Sequence, residues 1–299
     1  MRRRPDHIKG LRFLEVAPGV SLFSPERPSF PLGTGLLVMD DVTVVVDTGA
    51  GEALAELARA VHVDLVLNTH FHPDHTRGNR YFDAKVACHR LDAPPLRDLK
   101  SFKEYTGFDE VEAEAGVDVP AMVDFRTSRV DLELEDGEVL DFGRTKCRVI
   151  HTPGHSPGHV ALHFLEADFL FLADIDLTSF GPWYGHRCCD VDAFLESMNR
   201  VLEVPARALA TGHRGALCER ERLVAYRDEI YRRDELLLDM IRERPRDPAT
   251  LAQEEEPFYP AHPFPVLTRY FERVMVEKHL GRLVRLGLAR EEDGVFYAS

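Results

Sequence analysis

Six consecutive residues hold the densest chemistry of this 299-residue chain: His70-Phe71-His72-Pro73-Asp74-His75 place four metal-capable side chains in one short stretch. His70 and His72 are two apart. In an extended or tight-loop backbone both rings point to one side and can hold one cation through imidazole nitrogen. Pro73 suits a loop-to-helix transition with Asp74 near the helix start, which lets Asp74 and His75 face a second cation. Asp174, directly after the apolar run 169–173, is the expected carboxylate bridge between two ions, ahead of its neighbour Asp176. His155, after a Pro-Gly turn, and His213, after another apolar run, would complete the two shells.

Five histidines and two aspartates make an all-N/O donor set, which suits zinc and which iron or manganese would also accept. Zinc lowers the pKa of bound water to about 7, and two ions about 3.5–4 Å apart can share the resulting hydroxide while polarising a carbonyl. No cysteine sits in a recognisable nucleophile context. The expected nucleophile is therefore the metal-bridging hydroxide, and the expected target an ester-like carbonyl such as a thioester or lactone.

With Asp47 upstream and His155, Asp174 and His213 downstream, the His70–His75 motif resembles the metallo-β-lactamase superfamily, whose five motifs occur here in order over about 47–213. The resemblance implies an α/β fold, an αββα sandwich with a dinuclear centre at one edge. It implies that His70, His72 and His155 bind one divalent ion, that Asp74, His75 and His213 bind the other, and that Asp174 bridges. Asp47 would support the ligand shell through hydrogen bonds. His72, where flavodiiron relatives usually carry Glu, points to the hydrolytic branch. The stretch after Asp174 lacks the Cys-x-Arg/Lys pattern of glyoxalase II. Two alternatives within the fold are a ribonuclease or phosphodiesterase and a mononuclear iron persulfide dioxygenase. A non-catalytic module whose tail binds DNA or a partner is the alternative outside it. The segment Phe180-Gly181-Pro182-Trp183-Tyr184-Gly185-His186 follows the bridge. A tyrosine hydroxyl beside two metals can stabilise an oxyanion, so Tyr184 is expected to be catalytic, with Asp74 relaying a proton to the leaving group. His89, His151, His159 and His163 are expected to be structural or supporting rather than ligands.

The elements that must deliver these residues are legible as apolar runs. Strands are expected over 42–46, 63–67, 85–88, 147–150 and 206–210, with 160–164 and 169–172 as a pair. Helices are expected over 52–60, 191–202 and 269–286. Residues 130–134 alternate into an apparent hairpin turn at Asp136-Gly137. Asp47, His70, Asp174 and His213 each sit at or just past a strand end, so one sheet edge can gather them. The domains are expected to be 1–218, catalytic, and 219–299, a winged-helix-like tail ending in a hairpin at Asp293-Gly294. That tail would cover the site mouth, shape the pocket or mediate homodimerisation.

Composition narrows the partners. The formal charge is −14, and residues 219–299 carry 14 Lys and Arg against 17 Asp and Glu, so a small-molecule substrate is expected and nucleic acid is disfavoured. No apolar stretch approaches the roughly 20 residues that span a bilayer. An odd five cysteines with no CxxC spacing exclude a disulfide framework. With no apolar segment behind Arg2-Arg3-Arg4, a cytoplasmic location is expected.

Overall fold

The computed structural model describes residues 7–27, 33–214, 220–254, 258 and 263–299. Cys218, the 218/219 boundary and most of the Pro-rich stretch 257–265 lie outside the described residues. The chain runs through β1 (Leu11–Ala17), β2 (Val20–Pro25), β3 (Gly35–Met39), β4 (Thr43–Val46), α1 (Ala53–Ala60), β5 (Leu65–Leu67), α2 (Pro73–Thr76) and β6 (Lys85–His89). Four short helices follow, α3 (Ala93–Arg97), α4 (Leu99–Thr106), α5 (Phe108–Ala115) and α6 (Val119–Met122), before β7 (Leu132–Leu134). Next come β8 (Val139–Asp141), β9 (Lys146–His151), β10 (Val160–Phe164), β11 (Phe169–Phe171), α7 (Val191–Glu203) and β12 (Ala208–Ala210). The tail comprises α8 (Arg220–Glu243), α9 (Pro248–Glu254), α10 (Pro265–Arg285), β13 (Ala289–Glu292) and β14 (Val295–Ala298).

Two sheets face each other, one ordered β1-β2-β3-β4-β5-β6-β7 and one ordered β12-β11-β10-β9-β8. Their inner faces meet in one core, where Val44, Val46 and Leu67 oppose Val149, Leu162, Phe164, Phe169 and Phe171. The residues between them point outward. Val45 and Val66 pack under α1 through Leu54 and Leu57, while Ala161 and Leu170 pack under α7 through Phe194 and Met198. Burial on both faces is why these strands read as continuous apolar runs rather than alternating ones. The result is the αββα sandwich.

The second outer core does not stop at α7. It continues through Ile230 and Leu237 of α8 and Leu267, Phe271 and Met275 of α10, so the tail closes over the same side of the sandwich. Gly287, at φ +73, ends α10, and Asp293-Gly294 turns the hairpin with φ of 51 and 77, both as expected. One expectation fails. Asp136-Gly137 does not close a hairpin, because β7 pairs in parallel with β6 while β8 pairs with β9. The turn, with Gly137 at φ 79, instead carries the chain from one sheet to the other. Among the described residues no helix is long and apolar enough to cross a membrane.

Candidate metal centre

Parallel pairing puts the ends of β4 and β5 at one edge of their sheet, and β11 and β12 do the same in the other. Beyond those ends the chain leaves regular structure at once. Asp47 follows Val46 in the left-handed region (φ 56), and Ala173, just before Asp174, also has positive φ (47). Such strain in non-glycine residues persists only where surrounding contacts enforce it, and it clusters at functional sites.

The structure brings the seven candidate ligands together in two groups. His70, His72, His155 and Asp174 form one; Asp74, His75 and His213 form the other; within each, donor atoms lie within 4.8 Å of one another. Asp174 touches both. Its Oδ2 lies 3.2 Å from His155 Nε2 and its Oδ1 3.0 Å from His75 Nε2. His213 Nε2 stands 3.3 Å from His75 Nε2 and 3.5 Å from carboxylate oxygens of Asp74 and Asp174. Pro73 opens α2, as expected, and Asp74 lies in its first turn.

The groups behind the ligands fix which nitrogen faces inward. His75 Nδ1 donates to Asp47 Oδ2 at 2.8 Å, and Asp47 is itself held by the Thr69 amide and hydroxyl, both at 2.8 Å. His155 Nδ1 donates to the Trp183 carbonyl at 3.0 Å. His72 Nε2 meets His186 Nδ1 at 2.9 Å. These contacts leave His155 Nε2 and His72 Nδ1 facing each other at 2.9 Å. His159 Nε2 accepts the Asp174 amide at 3.1 Å, and its Nδ1 lies 2.8 Å from Thr152 Oγ1.

Three features fit a cation. Two inward ring nitrogens at contact distance have lone pairs that a positive ion between them would satisfy. His70 Nε2 is buried without a hydrogen-bond partner, and such an orphan in a native interior needs an explanation. A Cβ at Gly212 would lie 2.9 Å from both Asp174 Oδ1 and His75 Cε1, so only glycine leaves that cradle open. Electrostatics agree. Burial, then neighbouring histidines, push His70 and His72 well below the ordinary histidine range, which keeps both rings neutral and able to ligate. Burial alone would raise Asp174, but the rings of His75, His213 and His155 hold it well below the carboxylate range. Burial opposes protonation of His213, yet Asp174 and Asp176 outweigh it and lift this histidine to about 9.

Tyr184 is not part of this site. Its ring is fully buried, and its hydroxyl is engaged by Arg233 Nη1 at 2.7 Å and His279 Nε2 at 2.5 Å. Its neighbours Trp183 and His186 do line the cleft over the candidate ligands, together with Phe108, Val123, Phe180, Tyr226 and Phe271. Arg77 is the one arginine or lysine of that described lining.

Two supporting residues escaped the sequence reading. Buried Asp92 accepts from the Phe71 amide at 3.0 Å, Ser156 Oγ at 2.6 Å and the Gly158 amide at 2.6 Å, tying the loop of His70 and His72 to that of His155. Asp176, weighed only as a rival bridge, accepts the His213 amide at 2.8 Å.

The model of the metallo-beta-lactamase superfamily matches residues 34–231. Human acyl-coenzyme A thioesterase MBLAC2 is 32% identical over 155 residues, 44% of this chain and 53% of its own. Hydroxyacylglutathione hydrolase of Rhodospirillum rubrum is 29% identical over 174 residues, 56% of each chain. The chain thus spans about half the length of the curated relatives it matches. A metallo-beta-lactamase family protein from Thermus thermophilus superposes with a TM-score of 0.76 at 23% identity, covering 95% of this chain and 100% of that one. At that identity the likeness speaks for the fold alone. A protein solved in a di-iron-bound form superposes at 0.50 with 27% identity over 67% of this chain and 96% of its own.

Proposed function

The chain belongs to the metallo-beta-lactamase superfamily, and from that premise we propose that it is a dinuclear, zinc-dependent hydrolase of thioesters with an apolar acyl group. The observation that carries this reading is Asp174, shared by two donor groups at the floor of a cleft walled by aromatic side chains. His70, His72 and His155 would hold one ion and Asp74, His75 and His213 the other. Bound divalent ions supply Lewis acidity and a water of lowered pKa.

The chain's own residues do the rest. Phe108, Val123, Trp183 and Phe271 take the acyl group and exclude water from the reacting carbon. Trp183 and Phe271 stand edge to face with centroids 5.1 Å apart, which keeps that wall stiff. Asp74, at the cleft and partly exposed, takes the proton released as water adds to the carbonyl and delivers it to the departing thiolate. Tyr226 of α8 and Phe271 of α10 place the tail in the substrate wall. We read 219–299 as a winged-helix-like unit, supported by three helices followed by a hairpin and by the bridge from Arg246 to Phe296. The free thiols Cys88, Cys147, Cys188 and Cys189 suit the cytoplasm.

A phosphodiester would need a cationic track leading to the site, and a single arginine, Arg77, in the described lining does not make one. A single iron would leave the Asp74–His75–His213 group unused. Elemental analysis of the purified chain, with a panel of acyl thioesters, lactones, phosphodiesters and a β-lactam, tests the proposal. We expect two metal equivalents and thioester hydrolysis that chelation abolishes and zinc restores. Turnover that persists after complete metal removal would overturn it.

A further inference from the structure

Two of the candidate ligands, His72 and His155, are backed by one segment, residues 178–186, and that segment is gripped by the tail. Arg233 of α8 is fully buried. Its Nη1 donates to the Pro182 carbonyl and to Tyr184 Oη, each at 2.7 Å, and its Nη2 donates to the Phe180 carbonyl. Residue 183 lies between two of the gripped positions, 182 and 184, and its carbonyl is the acceptor that orients His155. The segment is shaped for the guanidinium. Gly181 has φ +86, and a Cβ there would lie 2.9 Å from Arg233 Nη2, so the backbone can approach only as glycine.

The far end of the grip is equally defined. Arg282 Nε donates to Asp234 Oδ2 at 2.9 Å, and Asp234 Oδ1 accepts from His279 Nδ1 at 2.6 Å. His279 Nε2 must then accept from the Tyr184 hydroxyl, whose oxygen in turn accepts from Arg233. The Tyr184 hydroxyl, both His279 nitrogens and both Asp234 oxygens are thus met, as such a buried network requires, while Arg233 Nε lies 3.5 Å from Glu229 Oε1 without a hydrogen bond.

We propose that Arg233 is a positioning residue of the metal centre: by holding residues 180–184 it fixes the Trp183 carbonyl behind His155 and His186 behind His72. The inference rests on the metal reading above and extends it to a residue of the tail. Outer partners of metal-bound histidines set ring orientation and tautomer, and their loss typically costs about 10–100-fold in metal affinity.

The test is cobalt and zinc titration of the full chain as wild type, Arg233→Ala, Arg233→Lys and Leu251→Ala. Leu251 is fully buried in α9 and its apolar side chain takes no part in the hydrogen-bonded grip, so its variant controls for loss of stability. We expect Arg233→Ala to bind metal at least about tenfold more weakly and to show shifted cobalt absorption bands, with added methylguanidinium restoring both. Arg233→Lys should not restore them, since one ammonium cannot reproduce the planar fork. Leu251→Ala should keep wild-type affinity despite a lowered Tm. Wild-type affinity and bands in Arg233→Ala, or equal loss in Leu251→Ala, would overturn the proposal. Should Arg233→Ala not fold, Tyr184→Phe, which removes one held atom, is expected to move the cobalt bands the same way, and unchanged bands would overturn it. A wild-type chain that takes up no cobalt would instead defeat the metal reading beneath it.

Discussion

Asp47 and His75, 28 positions apart in sequence, meet at 2.8 Å with both side chains fully buried. Asp47 does three jobs there, accepting from His75 Nδ1, the Thr69 amide and the Thr69 hydroxyl, and so links the two donor groups of the centre. Asn tolerates the left-handed backbone at this position, but its amide nitrogen would face a donor. Asp47→Asn should therefore fold, with an unchanged circular-dichroism spectrum, yet bind zinc about 10–100-fold more weakly in a chelator-competition titration. Wild-type affinity would show that the contact does not tune the ligand.

Shared ligation makes a second expectation. Metal that binds only the folded chain stabilises it by about 2.7 kcal/mol at a hundredfold excess over Kd, so chelation should lower Tm by several degrees. Asp174 lies between His155 of the first group and His75 of the second, whereas His213 belongs to the second group. Asp174→Ala should thus show no chelator-dependent Tm shift, whereas His213→Ala should retain part of it. Equal residual shifts in the two variants would rule out the bridging role.

Asp92 gives stability a pH signature away from the ligands themselves. Burial raises its pKa to about 6, against hydrogen bonds from Ser156, Gly158 and Phe71 that lower it. The folded state therefore keeps a proton that the unfolded chain releases near the ordinary 3.8, so the native state binds more protons between pH 4 and 6. Stability from this group is highest below pH 4 and falls as pH rises to 6, by about 3 kcal/mol for a shift of roughly two units. Denaturant unfolding of metal-free wild type and Asp92→Asn across pH 4–7 measures it. The wild-type advantage should shrink with rising pH; a constant difference would contradict the assignment.

The strands that carry Asp47, His70, Asp174 and His213 were legible because both their faces are buried and the sequence shows unbroken apolar runs. The candidate ligand cluster was legible for the same reason, since His70, Asp174 and His213 each follow such a run. Strands β1 to β3 passed unread; in β1 exposed and half-buried residues follow Leu11 without a clean alternation. The helices α3 to α6 have four to eight residues each, too short for a 3.6-residue period to emerge. Arg233 was hidden among arginines of α8 that look alike in sequence, Arg232 exposed and Arg233 buried. Tyr184 was misplaced because it neighbours Trp183. Outside a helix, successive side chains leave the backbone on opposite sides, so Trp183 meets the cleft and Tyr184 meets the tail. Asp92 lies 21 positions from Phe71, and no local pattern joins them.

Phe271 decides whether the cleft reads the acyl group. It comes from α10, packs on Trp183 at 5.1 Å and His186 at 5.5 Å between ring centroids, and is almost wholly buried. Each methylene buried against such a wall is worth about 0.8 kcal/mol, close to a fourfold gain in kcat/KM per carbon while the wall lasts. A series of straight-chain acyl thioesters should therefore show kcat/KM rising with chain length and then levelling off. Phe271→Ala would cost about 3–5 kcal/mol of stability, so the milder Phe271→Leu is the better probe, with Phe271→Asn to make the wall polar. Leu should move the levelling point to longer chains as the cleft widens, and Asn should flatten the rise while leaving metal content unchanged. An acyl-length profile identical in all three proteins would place the substrate elsewhere and remove the tail from recognition.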